Sequence, residues 1–139
     1  MRPARFTDFV INAITDQFTA SRVRTLAEAG DTRHPYGVAI THQGGETRWQ
    51  FTGQLPEGAK HDGFTDEPVH GAPALAPAPA ATAPEGDDGP EAWLAGVLAR
   101  AGSPEVAVIE RWSTRPDAGP RQGLTLTFHN GARIFARVL

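Results

Sequence analysis

The chain has 139 residues, 40% of them hydrophobic and 21% charged, with a formal net charge of −3 and no cysteine. That is the size of one domain with a core of its own, and it excludes a disulfide framework, a thiolate nucleophile and a Cys-based metal site. Asp8 and Asp16 interrupt the first apolar stretch, and no run approaches the ~18 uncharged apolar residues of a membrane span, so a soluble cytoplasmic protein without a membrane partner is expected.

Charge is segregated along the chain. Residues 1–52 carry six Arg against five acids and residues 91–139 carry six Arg against four, whereas residues 53–90 set Lys60 against seven acids. The acidic middle is either a linker kept solvated by its charge or a tether that folds back over a mildly basic surface. Twelve of the thirteen basic residues are Arg. A planar guanidinium suits phosphate and carboxylate, although a GC-rich genome produces the same bias.

Taken in order, the first element is a helix with Thr7 as N-cap, Asp8 in the first turn and Phe6 stapled to Ile11. Its apolar stripe is Phe9, Val10, Ala13, Ile14 and Phe18. A strand over Val23–Ala27 follows, ended by Gly30-Asp31. The run Gly37–His42 is the second strand, joined through Gln43-Gly44-Gly45 to a third. Residues 53–70 are polar and turn-rich, and Gly71 to Pro90 is a Pro/Ala stretch with no apolar period. In polyproline geometry it reaches about 60 Å at ~3.1 Å per residue, enough to cross any face of a small domain.

The second helix opens with Pro90 at its first position and closes at Gly102, with Pro104 beyond; its stripe is Trp93, Leu94, Val97, Leu98 and Ala101. The β-branched run Val106–Ile109 is a strong strand candidate. The last two strands, which include Gly123–Phe128, are joined by His129-Asn130-Gly131, with Asn-Gly suited to a tight type I′ turn. Leu124, Leu126 and Phe128 point one way and Thr125, Thr127 and His129 the other, so one face of the sheet is polar.

The two ends of the chain say the same thing twice. Gly37–Gly45 matches Gly123–Gly131 in its glycines and alternation, and each is preceded by a β-like run and an amphipathic helix. The expected fold is α+β: residues 1–52 and residues 91–139 are pseudo-repeated helix-strand-strand-strand halves joined by the acidic 53–90 linker. They form one two-layer domain with a largely antiparallel sheet and two helices. The element order is similar to the opening of a double-stranded-RNA-binding domain. Such domains close on a second, basic helix, whereas the third strand here runs into the Pro/Ala spacer.

Chemistry is thinly signalled. Two His and three acids between His61 and His70 could hold a divalent ion, but no pair has helical or hairpin ligand spacing and Pro68 prevents a helix, so a solvated loop with Phe64 and Val69 docked is expected. None of Ser21, Ser103 and Ser113 lies in a glycine elbow, and His42 and His129 flank turns without an orienting carboxylate. No catalytic residue, metal or cofactor is assigned. The first functional expectation is a non-enzymatic binding or adaptor module with a protein partner, a homodimer included, acting through exposed strand edges. The second is a small-ligand or enzymatic cleft between the halves lined by Tyr36, Trp49 and Trp112. The third is nucleic-acid binding through Arg22, Arg24, Arg111, Arg133 and Arg137, with Arg115 and Arg121 nearby and Trp49, Phe51, Trp112 and Phe135 interleaved.

Overall fold

Helix α1 spans Pro3–Gln17 in the computed structural model, which describes residues 1–19, 21–42, 44–77 and 89–139. Its start lies ahead of the expected one. Arg2, extended at φ −83 and ψ 158, takes the cap position, and Pro3 follows with its φ already helical. Thr7 is therefore inside the helix, where its hydroxyl donates to the Pro3 carbonyl one turn back (2.9 Å), and Phe6 is a core residue rather than a staple. Helix α2, Pro90–Ala101, has the expected bounds. Gly102 ends it in the left-handed region at φ 64, with its N–H bonded to the Ala99 carbonyl.

The strands are β1 (Arg22–Thr25), β2 (Gly37–His42), β3 (Gly45–Gln54), β4 (Val106–Arg111), β5 (Gly123–Phe128) and β6 (Arg133–Val138), with a 3-10 turn at Trp112–Thr114. They form one antiparallel sheet in the order β1-β2-β3-β6-β5-β4. Each half is a meander, and the two meet where β3 pairs β6 from Trp49↔Val138 to Gln54↔Arg133. The β5–β6 connection is wider than a two-residue turn. Phe128 donates to the Ala132 carbonyl, Gly131 sits at φ 88, and the Asn130 side chain accepts from the Ala132 N–H.

Strand alternation decides which side chains meet the helices. Val38, Ile40, Trp49, Phe51, Ile109, Leu124, Leu126, Ile134 and Ala136 are buried and join Phe6, Val10, Ile14, Leu94, Val97 and Leu98 from the helices in one core. Phe6 bridges the halves. Its ring lies 4.8 Å edge-on from Phe51 and 6.4 Å from Phe128. Both helices thus cover one face of the sheet, and among the described residues no helix covers the other.

The connection from residue 55 to residue 77 runs as a strap along the domain. Asp66 accepts from the Arg2 N–H (2.9 Å) and Arg5 Nε (3.0 Å), Gly71 donates to the Pro104 carbonyl (2.8 Å), and His129 Nε2 lies 2.9 Å from the Ala72 carbonyl. Phe64 is half-buried beneath the Arg2 guanidinium, while Val69 is exposed. The expected Pro/Ala spacer falls largely on residues 78–88, outside the described residues. Among the described residues no helix is long and apolar enough to cross a membrane.

Candidate functional site

Across the helix-free face, cross-strand register lines up the side chains that alternate with the core. On β1 these are Arg22 and Arg24, opposite Thr41 and Ala39. On β3 they are Glu46, Arg48, Gln50, Thr52 and Gln54; on β6, Arg133, Phe135 and Arg137; on β5, Thr125 and Thr127; on β4, Val108 and Glu110. Arg115 joins them from beyond the 3-10 turn, its guanidinium donating to Glu110 (2.8 Å) and to Thr125 Oγ1 (3.0 Å). Six guanidinium groups therefore share this face with two strand carboxylates, in a chain whose net charge is −3.

Those two carboxylates neutralise only part of the patch. Glu46 accepts from Arg48 Nε (2.8 Å) and Arg24 Nη2 (3.1 Å), and these two guanidinium groups, Arg48 foremost, hold its carboxyl below the usual carboxylate range. Glu110 pairs with Arg115. Arg137 donates to the neutral Gln50 side chain (2.9 Å), and Arg22 and Arg133 make no ion pair among the described residues.

Trp112 is fixed against the same face. Its indole N–H donates to Thr125 Oγ1 (2.9 Å), and the ring covers Gly123, where a Cβ would come within 2.6 Å of it. Only glycine allows that approach. The guanidinium carbon of Arg115 lies 5.6 Å from the ring centroid, within cation–π range.

Of the five arginines named from the sequence, Arg22, Arg24, Arg133 and Arg137 are brought together here. Arg111 is not. It pairs with Leu124 across the ladder, points to the helix side and is 6% exposed, with Nε 2.9 Å from Glu91 Oε1. Arg48 was missed, although its alternation with Trp49 and Phe51 places it on this face.

The three residues proposed to line one cleft occupy three separate places. Trp49 is a core residue, 1% exposed. Tyr36 borders a hollow of about 400 Å³ with Met1, Arg2, Leu55, His61 and Phe64, and Trp112 borders another of about 390 Å³ with Arg115, Asp117, Pro120 and Arg121. Among the described residues no three His or acidic side chains are grouped to hold a metal ion. In the His61–His70 segment, Asp66 is engaged by Arg2 and Arg5, and His129 is engaged by the strap. The His42 side chain lies outside the described residues.

No family model, curated protein or solved structure matches this chain.

Proposed function

We propose that the protein is a non-enzymatic binding module whose helix-free sheet face takes a polyanion, a nucleic acid. The observation that carries this reading is the gathering of Arg22, Arg24, Arg48, Arg115, Arg133 and Arg137 on one face that, among the described residues, holds two strand carboxylates and two aromatic side chains, Trp112 and Phe135. Guanidinium groups in such an array release condensed counterions from a phosphate backbone, which is a sequence-independent source of affinity.

The strand edges, which would serve a protein partner by strand addition, are the weaker surface. β1 is four residues long and carries two Arg, and β4 breaks register between Val106 and Val108. Short strands, charge and bulges are the features that discourage edge pairing. The same reading takes the αβββ halves as copies of one unit in a cytoplasmic protein. A strand order symmetrical about the β3–β6 pairing supports the duplication.

Fluorescence anisotropy with a labelled mixed-sequence oligonucleotide tests the proposal. Binding is expected at about 50 mM salt and should weaken with a log–log salt slope between about −2 and −4 for single strand, or about −3 and −5 for duplex, the range for three to six phosphate contacts. Arg22→Glu with Arg133→Glu, both exposed, should lower affinity at least about tenfold. No salt-dependent binding to single-stranded or duplex nucleic acid would refute it.

A further inference from the structure

We infer that the nucleic acid held by this face is single-stranded, with bases stacking on Phe135 and on the Trp112–Arg115 pair while neighbouring arginines hold the phosphates. The inference rests on the polyanion reading above. Width is the first argument. Six strands at about 4.8 Å spacing make a face roughly 24 Å across, against a major groove about 12 Å wide. A sheet of that width cannot enter a duplex groove, so a duplex would meet it only through phosphates, leaving the aromatic side chains without a partner.

The second argument is the order of side chains along β6, which on this face reads Arg133, Phe135, Arg137. A ring stands between two guanidinium groups, each about 6 to 7 Å away along the strand. Phe135 is half-buried and makes no ring or cation contact among the described residues. Its cross-strand partner is Thr125, the residue whose hydroxyl anchors both Trp112 and Arg115. Gly123, covered by the Trp112 ring, is opposite Arg137.

Two platforms therefore stand side by side, each within reach of a guanidinium group. Phe135 offers a ring, and Trp112 offers an indole topped by the Arg115 guanidinium, itself a plane on which a base can stack. Both are positioned before any ligand arrives, Trp112 by its hydrogen bond and Phe135 by its half-buried base. Every base has a π-face, so binding should tolerate sequence. Gln50, Thr52, Gln54 and Thr127 around the platforms are polar and uncharged, which suits exposed base edges without selecting one, and the carboxylate opposite Thr125, Glu110, is paired with Arg115.

The test compares one labelled deoxyoligonucleotide of about 20 nucleotides, single-stranded and annealed to its complement, against the full chain at matched salt. Single strand is expected to bind about tenfold or more tighter than duplex and to quench part of the tryptophan fluorescence. Phe135→Ala should remove most of that preference, and Phe135→Tyr, which keeps a stacking ring, should retain it. Trp112→Phe should lose the quench while keeping salt-dependent binding. Circular dichroism and urea midpoints exclude misfolding of any variant. Equal affinity for single strand and duplex, with Phe135→Ala neutral, would overturn this inference and leave the polyanion reading standing. Absence of binding to either form would overturn both, as would binding of poly-glutamate in preference to the oligonucleotide, which would assign the face to an acidic protein partner.

Discussion

Glu91 is 2% exposed and accepts from Arg111 Nε (2.9 Å), the Gly123 N–H (2.9 Å), the Ser113 N–H and the Ser113 hydroxyl. One carboxylate thereby fixes the start of α2, the end of β4 and the turn that presents Trp112. Two buried charges in such a place are costly to desolvate, and their pairing offsets the cost only while both are present. Glu91→Gln leaves the Arg111 charge uncompensated and is expected to destabilise the protein by about 3 to 5 kcal/mol, a drop in Tm of roughly 10 °C or more at this chain length. Glu91→Leu combined with Arg111→Met should recover only part of that loss: a buried pair replaced by apolar groups of similar volume is often neutral, but the Gly123 N–H then loses its acceptor. Urea denaturation of the three proteins checks it, and a single variant within about 0.5 kcal/mol of the parent would show that the pair does not stabilise the fold. This network was the least legible part of the sequence. Read locally, Glu91 is a first-turn acid and Arg111 an exposed phosphate ligand; only the ladder that puts Arg111 opposite Leu124 turns it inward.

The strap over residues 55–77 is held chiefly at Asp66. Burial alone would push its carboxyl up, but hydrogen bonds from Arg5 and the Arg2 N–H, together with the Met1 ammonium 3.1 Å away, outweigh that and hold it well below the usual carboxylate range. Arg5 also grips Glu105 through two 2.8 Å bonds, so strap, helix and the approach to β4 share one guanidinium. These bonds, Glu105's foremost, raise the Arg5 pKa. A carboxyl depressed in the folded state stabilises it above the group's unfolded pKa, about 3.9, and the contribution is lost as pH falls from there toward the folded value. Asp66→Asn is therefore expected to cost about 1 to 3 kcal/mol near neutrality, with the gap to the parent constant down to about pH 5 and narrowing from there toward about pH 2. Denaturation midpoints across that range measure it, and a constant gap would mean that Asp66 titrates alike in both states. Elements defined by local chemistry were readable, as Pro90 and Gly102 bounding α2 make plain. In the strap, Phe64 stood out as an apolar residue able to dock, but the Asp66 anchor did not, because Arg2 and Arg5 lie 64 and 61 residues away and nothing in the intervening pattern names them. Helix α1 was misplaced at its start because Thr7 has the chemistry of a cap, whereas Pro3 satisfies the same end by supplying a fixed φ without an N–H.

Strand number, antiparallel sense and the two-helix layer follow from alternation and turn residues, which are local. The pairing of β3 with β6 is not, and it is this pairing that turns two meanders into one sheet. Cut there, each half would expose a central strand edge and one side of the core around Phe6, Phe51 and Phe128, besides losing the Gln17 bond to the Val97 carbonyl (2.8 Å) and the Arg5–Glu105 pair. A unit of about 50 residues buries too small a fraction of its surface to offset its chain entropy. The whole chain should therefore melt in one transition with equal calorimetric and van't Hoff enthalpies. Fragments 1–77 and 89–139 should each be unfolded alone by circular dichroism and regain structure when mixed. Independent cooperative melting of either fragment would establish two autonomous units instead. The arginines make the same division, since Arg22, Arg24 and Arg48 come from the first fragment and Arg115, Arg133 and Arg137 from the second. On the proposed nucleic-acid reading, neither fragment should bind the labelled oligonucleotide with the affinity of the mixture, because the arginine face is complete only once the two halves close the sheet.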